Sequence, residues 1–211
     1  MPDPLTAIEA RILGSLVEKS LTTPELYPLS LNSLVNACNQ KSNRDPVMNL
    51  GHAEVEKALA GLVERKFAAR VYEAGARAVK YSHHIEVLLG SEDPKVIGVV
   101  CVLLLRGPQT PGEIKARTER LCRLESIPEV ETLMRELSNR VDGAIISRLT
   151  RQPGQKEARY RQLFTNTEPA PEPAAAPAQP PPDRLAQLEA RVAALEAAVR
   201  ELRAGPASPP N

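Results

Sequence analysis

Two blocks of the chain repeat one pattern, and this repeat constrains the fold more than any other feature of the sequence. The first block starts with ILGSLVEKSLTTPEL at Ile12 and the second with VVCVLLLRGPQTPGE at Val99, and both reach a Thr-Pro pair. Further along, EVEKALAGLVER from Glu54 matches EVETLMRELSNR from Glu129. Because the matches come in the same order, the sequence predicts two copies of one structural unit.

Apolar spacing and capping residues predict three helices in each copy. A first helix covers residues 5–20, with its apolar residues on one face: Ile8, Ile12, Leu13, Leu16 and Val17. Thr23-Pro24 and Thr110-Pro111 each provide an N-cap and a first-turn proline for the next helix, and Glu113 completes a capping box. Ser30 caps a further helix that runs to about Lys41. The buried face of the third helix is predicted to contain Val55, Leu59 and Leu62 in the first copy and Val130, Leu133 and Leu137 in the second.

Each copy then ends in two short β-like runs around a turn. The runs are 70–72 and 79–81 in the first copy and 145–149 and 158–160 in the second. Three helices followed by a β-hairpin is the winged-helix arrangement, in which the third helix usually enters the DNA major groove. The predicted fold class is therefore mainly α with small β-hairpins (α+β), as tandem winged-helix domains over residues 1–90 and 91–166.

The C-terminal part has a different composition. A Pro- and Ala-rich linker covers 167–182, a helix covers 183–204 and a disordered tail covers 205–211. Apolar residues of the helix step by three and four, as in a coiled-coil seam: Leu185, Leu188, Val192, Leu195, Val199 and Leu202. Arg184 and Arg191 at g and Glu189 and Glu196 at e favour a parallel homodimer. The alternative is an amphipathic helix that folds back on its own chain.

Charge favours the second copy as a site for nucleic acid. Residues 1–90 hold ten Lys and Arg against ten Asp and Glu, whereas residues 91–167 hold thirteen against ten. In the first copy the third helix exposes Ala53, Lys57, Ala60 and Glu64, which are poor readers of base edges. The candidate DNA contacts in the second copy are Lys115, Arg117, Arg120, Arg123, Thr132, Arg135, Asn139, Arg148, Arg151, Lys156 and Arg159, with Arg161 on the same hairpin. The alternative is that these are surface charges paired with Glu119, Glu136 and Glu157.

A polar run between the second and third helices of the first copy has two interpretations. Its amides and cations either hold a phosphate near a helix N-terminus or form hydrogen bonds with the backbone of a long turn. We favour the second interpretation. The residues concerned are Asn39, Gln40, Lys41, Asn43 and Arg44.

Neither a catalytic constellation nor a cofactor motif is found at usable spacing, so we expect a protein that is not an enzyme and binds no cofactor or metal. His83-His84 follows the predicted hairpin without a nearby Cys ligand, which favours a surface or capping role. The odd, scattered set of Cys38, Cys101 and Cys122 favours a reducing, cytoplasmic location. The apolar run 96–105 is too short to span a membrane, so we expect a buried helix and no membrane partner.

Long runs of the sequence resemble the YceH family of bacterial proteins. They are TTPELYPLSLNSLVNACNQKSNRDPVMNL at 22–50, VKY at 79–81, LLLRGPQTPGE at 103–113 and RQPGQKEARYRQLF at 151–164. The resemblance covers about residues 5–164 and implies two winged-helix domains. It implies no activity and no catalytic or ligand-binding residues.

Two functions fit these observations. One is a dimeric protein that binds double-stranded DNA as a transcriptional regulator, with the third helix and hairpin of the second copy as its contact surface. The other is a scaffold that binds a protein partner through its winged-helix modules. Binding to random duplex DNA that weakens steeply with salt would distinguish the first from the second.

Overall fold

The computed structural model describes residues 3–72, 75, 78–151 and 154–166, and in the C-terminal part residues 192, 193, 195, 196 and 199. The chain forms two compact units, residues 1–167 and 168–211. The first unit combines helices with two small antiparallel sheets, so the predicted α+β class is confirmed.

The first half of that unit contains three α-helices and a three-stranded sheet. Its elements are α1 (Ala7–Thr22), a 3-10 turn (Pro24–Leu26), β1 (Leu29–Ser30), α2 (Leu31–Cys38), α3 (His52–Glu64), β2 (Ala68–Val71) and β3 (Lys80–His83). The strand order is β1-β3-β2, with all neighbours antiparallel. The Ser30 hydroxyl caps α2 as predicted, but α2 ends at Cys38, before the predicted Lys41. The prediction that Thr23 is an N-cap is wrong. Its hydroxyl donates back to the Lys19 carbonyl and does not cap the turn that begins at Pro24.

The second half repeats the order of three helices and a hairpin after a short connecting helix. Its elements are α4 (Ile85–Leu89), α5 (Pro94–Arg106), α6 (Pro111–Thr118), α7 (Ile127–Ser138), β4 (Ile146–Arg148) and β5 (Tyr160–Gln162). Gln109 and Tyr160 exchange backbone hydrogen bonds of 3.0 and 2.8 Å. Gln109 comes after the first helix of the second half, as β1 comes after α1 in the first half. The predicted capping box of Thr110 and Glu113 is confirmed. Both hairpins lie within about two residues of the predicted runs, as expected for boundaries read from pattern alone.

The two halves share one hydrophobic core, in which α1 packs against α5. Leu13 and Leu16 of α1 are fully buried, and the predicted buried helix over 96–105 is confirmed as part of α5. Gly14 allows the two helices to approach closely, since a Cβ there would lie 2.9 Å from Leu105 Cγ. Among the described helices, none has both the length and the apolar content needed to cross a membrane.

His83 occupies a different place from the predicted one. It is the last residue of β3 and is partly buried, whereas His84 is the exposed N-cap residue of α4. Its Nε2 lies 2.9 Å from Ser20 Oγ, and its Nδ1 accepts from the Ile85 amide at 3.4 Å. The accepting Nδ1 places the proton on Nε2, so the imidazole donates to Ser20 Oγ, which itself donates to the Val17 carbonyl. The pair therefore joins α1 to the sheet and does not activate the serine hydroxyl.

The stability of the protein should depend on pH through His83. Burial lowers the pKa of His83, and the neighbouring Glu86 opposes this only in part. The unfolded chain therefore binds more protons just below about pH 6.5, and the free energy of unfolding falls as the pH drops below that value. We expect His83→Gln, whose amide can still donate to Ser20 Oγ, to lose less stability than the wild type between about pH 7.5 and 5.5 in urea unfolding. His84→Gln keeps the His83 imidazole and removes only the smallest of the three contributions to its pKa shift, so it should retain most of the wild-type pH dependence. Equal pH dependence in all three proteins would contradict the assignment.

Candidate nucleic-acid interface

The outer face of α7 presents hydrogen-bond donors to solvent. Ser126 caps the helix, and Val130, Met134 and Leu137 are buried beneath it, so Met134 takes the central inward position for which Leu133 was predicted. The opposite face is an exposed row of three polar residues: Thr132, Arg135 and Asn139. Arg135 Nη2 donates to Thr132 Oγ1 at 3.1 Å, and Asn139 Nδ2 donates to the Arg135 carbonyl at 2.9 Å. These side chains are therefore aligned along the helix and reachable from outside.

Three hairpin cations lie around a shallow groove beside α7. Arg148, Arg151 and Lys156 line a groove of about 210 Å³, which the carboxylates of Glu131 of α7 and Glu157 also line. Arg148 and Lys156 form no side-chain hydrogen bond or ion pair with any residue that the structure describes. Arg151 donates to the Lys156 carbonyl at 3.2 Å, which holds it on the hairpin. The groove thus combines exposed positive charge with the edge of the α7 face.

Arg159 lies on the same hairpin, but its side chain is engaged in contacts within the protein. Its Nη1 donates to the Pro108 carbonyl at 3.1 Å, and its Nη2 lies 3.7 Å from Glu113 Oε1. Arg161 Nε likewise donates to Ser147 Oγ at 3.2 Å. The Arg159 contacts fix the hairpin against the start of α6, and the Arg161 contact joins its two strands. We therefore separate Arg159 and Arg161 from the exposed cations of the groove.

The cations on and after α6 do not all face this groove. Arg117 and Arg120 line a separate cleft toward the first half of the chain. Arg123 pairs with Glu125 at 2.5 Å, and Lys115 lies partly exposed on α6. The structure therefore divides the predicted set into an α7-hairpin face and a second cationic surface.

The alternative pairing of these charges is not observed. Within the described ranges, Glu119, Glu136 and Glu157 take part in no ion pair. The ion pairs that the candidate cations form use Glu113 and Glu125 instead. Glu136 and Glu157 nevertheless stay exposed beside the interface and reduce its net positive charge.

The polar run of the first half is occupied by contacts within the protein. Asn39 exchanges two side-chain hydrogen bonds with the Leu50 backbone, at 2.9 and 2.7 Å. Arg44 is buried and donates to both Glu18 oxygens, at 3.0 and 2.6 Å, and to the Ala37 carbonyl. Gln40 Oε1 accepts from Arg44 at 3.3 Å.

The other two residues of the run lie at its surface. Asn43 has a φ of +58° and its Oδ1 accepts from Arg106 of α5, while Lys41 is exposed. The contacts of Asn39, Gln40 and Arg44 are those of a turn held within the protein, and the buried guanidinium of Arg44 is committed to that turn and to Glu18 of α1.

Sequence reasoning missed two buried partners of this turn on α1. Arg11 is 1% exposed and donates to the Cys38 and Pro46 carbonyls, at 3.0 and 2.6 Å. Glu18 holds Arg44 as described above. Arg11 and Glu18 are seven residues apart on the buried side of α1, and charges at that spacing on an apolar face were a detectable signal.

The C-terminal seam is described only in part. Val192, Leu195 and Val199 are helical and exposed, at 53%, 65% and 47% of their surface. Leu185, Leu188 and Leu202, and the linker 167–182, lie outside the described residues. Val192, Leu195 and Val199 therefore form an exposed apolar row at the spacing of a coiled-coil seam.

These elements define an α+β protein in which each half joins three helices to an antiparallel hairpin, with a cationic face on the second half. The chain belongs to the family described as "Protein of unknown function, DUF480", which matches residues 5–155. It is 45% identical over 208 residues to a UPF0502 protein of Shewanella piezotolerans, covering 95% of this chain and 94% of that protein. A UPF0502 protein of Vibrio cholerae is 45% identical over 166 residues, or 76% of each chain, and one of Opitutus terrae is 46% identical over 199 residues, or 90% and 83%. The resemblance to the YceH family is thereby confirmed.

Proposed function

We propose that this protein is a cytoplasmic, dimeric DNA-binding protein of regulatory type that acts by binding and not by catalysis. Its two halves are winged-helix modules, and the second is the one that contacts duplex DNA. The observation that carries the proposal is the groove where Arg148, Arg151 and Lys156 meet α7. Three cations with few protein partners, beside an exposed row of donors, form a surface suited to a phosphate backbone.

The chemistry of the two parts is complementary. Cations of the hairpin neutralise phosphates and release counterions, which provides affinity without sequence preference. On α7, the guanidinium of Arg135 and the amide of Asn139 are groups that form hydrogen bonds with purine edges in the major groove. Glu131 and Glu157 in the groove lining and Glu136 on α7 lower affinity for phosphate, so we expect modest rather than tight binding to random duplex.

A dimer would present this surface twice. The exposed apolar row of Val192, Leu195 and Val199 supports a parallel coiled coil, as the heptad pattern predicts. Two copies of the second half on one duplex would double the number of neutralised phosphates and steepen the salt dependence.

Replacing Arg148 with Ala should weaken binding to a random duplex, because the variant neutralises fewer phosphates. The slope of log affinity against log salt should become shallower by about 2 per dimer if each of the two copies of Arg148 neutralises one phosphate. Arg135→Ala should cost about 1–3 kcal/mol of binding free energy if α7 enters the groove. Fluorescence anisotropy of the full chain with labelled duplex at several salt concentrations measures both effects.

The matched control is Arg70→Ala, since Arg70 is an exposed arginine on the hairpin of the first half. It should keep wild-type affinity and slope. Absence of binding even at low salt would reject the proposal and favour a protein-docking scaffold. An equal loss in Arg70→Ala would reject the second half as the contact surface.

A further inference from the structure

A second cationic surface lies between the two halves of the first unit, away from the α7-hairpin face. A cleft of about 410 Å³ separates the end of α1 and the polar turn from α5 and α6. This volume falls within the range of small-molecule sites, roughly 300–1,000 Å³. Val102, Leu105 and Leu121 provide apolar lining, and Gln40, Ser42 and Asn43 provide polar groups at its rim.

Positive charge exceeds negative charge in the lining of this cleft. Its cations come from α1, α5 and the region of α6: Lys19, Arg106, Arg117 and Arg120. Among the described residues, two carboxylates line it, those of Glu18 and Glu119. Glu18 is already neutralised by the buried guanidinium of Arg44, although Lys19 Nζ also lies 3.6 Å from it. The lining therefore keeps a surplus of positive charge.

The cations themselves have weak partners. Arg106 donates to the neutral Asn43 Oδ1, and Arg117 lies 3.8 Å from Glu113, outside hydrogen-bond distance. Arg120 forms no side-chain hydrogen bond or ion pair within the part of the chain that the structure describes.

Arg106 shows the effect of this crowding. Burial, followed by the charge of Arg117, lowers the pKa of Arg106, while Asp45 and Glu18 oppose the shift. A bound anion would relieve this repulsion beyond what Asp45 and Glu18 do.

We propose that this cleft binds a small phosphorylated molecule carrying at least two negative charges. The planar guanidinium groups of Arg106, Arg117 and Arg120 match phosphate oxygens in pairs, and such charge-assisted bonds are the strong ones. The apolar lining accommodates the part of the molecule that bears no charge. Lys19 of the first half lines the same cleft as these three arginines of the second half, so a bound anion would contact both halves and stabilise their arrangement. The site is separate from the DNA surface, since Arg148, Arg151 and Lys156 do not line it.

Isothermal titration of the full chain with pyrophosphate, without DNA and at constant ionic strength, tests this. We expect saturable binding at one site per chain and a rise in Tm with pyrophosphate concentration. Arg120→Gln, an exposed change with little effect on folding, should weaken pyrophosphate binding about tenfold or more. Arg106→Gln should do the same, with its own Tm in the absence of ligand as the measure of folding.

Lys115→Gln is the matched control, because it removes one positive charge from α6 outside the cleft lining. It should keep wild-type affinity for pyrophosphate, as should Arg148→Ala. Equal weakening by Lys115→Gln, or no saturable binding by the wild type, would overturn the site. Citrate, an anion of carboxylates, should bind more weakly at the same ionic strength, and equal affinity would overturn the assignment to phosphate. DNA binding and pyrophosphate binding are measured separately, so either can fail alone.

Discussion

Replacing Glu18 with Gln is expected to lower the free energy of unfolding by about 3–5 kcal/mol, as is usual when one member of a buried ion pair is removed. The substitution leaves Arg44, whose side chain is fully buried, without its carboxylate. A second buried guanidinium, that of Arg11, lies close by. Burial and then the charge of Arg44 lower the pKa of Arg11. Glu18 is one of the carboxylates that oppose this shift. Two buried cations would then remain, with Asp45 as the carboxylate that still opposes the pKa shift of Arg11. Urea unfolding at neutral pH measures the loss.

The double variant Glu18→Leu with Arg44→Met tests whether charge is the cause. An apolar pair of similar volume avoids the buried charge, so it should recover at least half of the loss despite the missing bond to the Ala37 carbonyl. Glu25→Gln, an exposed change, should stay within about 0.5 kcal/mol of the wild type. A loss below about 1 kcal/mol in Glu18→Gln would mean that the pair contributes as little as a surface one.

Replacing Gly14 with Val is expected to cost about 3 kcal/mol, because it overpacks the closest approach of α1 to α5. A Cβ on Gly14 would lie 2.9 Å from Leu105 Cγ and Cδ2 and 3.3 Å from Leu104 Cβ. The Gly14 carbonyl also accepts from Cys101 Sγ at 3.4 Å, so the α1 backbone lies directly against α5. Because both halves share this contact, the variant should unfold at a lower urea concentration in a single transition.

Gly112→Val serves as the control for the Gly14 substitution. Gly112 also lies in a helix, α6, but no described atom lies within 4 Å of a Cβ built on it. This change should therefore stay within about 0.5 kcal/mol of the wild type. An equal loss at both positions would show that the effect is not specific to the α1–α5 contact, because Val has a higher helix propensity than Gly and propensity alone would not lower the stability.

Local patterns in the sequence were sufficient for most of the secondary structure. The apolar spacing of α1, the capping box of Thr110 and Glu113, and the hairpins after α3 and α7 follow from residues at most four positions apart or on either side of a turn. The exposed row of α7 followed from the same helical spacing, which is why Thr132, Arg135 and Asn139 were placed correctly on its outer face.

What the amino-acid sequence by itself determined was the order and type of the elements, because hydrogen bonding in helices and hairpins joins near neighbours in the chain. The tertiary structure alone decided which charges are paired, buried or left facing a cleft. Glu18 and Arg44 are 26 residues apart, and Arg106 and Asn43 are 63 apart. The energy of such interactions depends on distance and burial in the folded chain, and residue spacing encodes neither quantity.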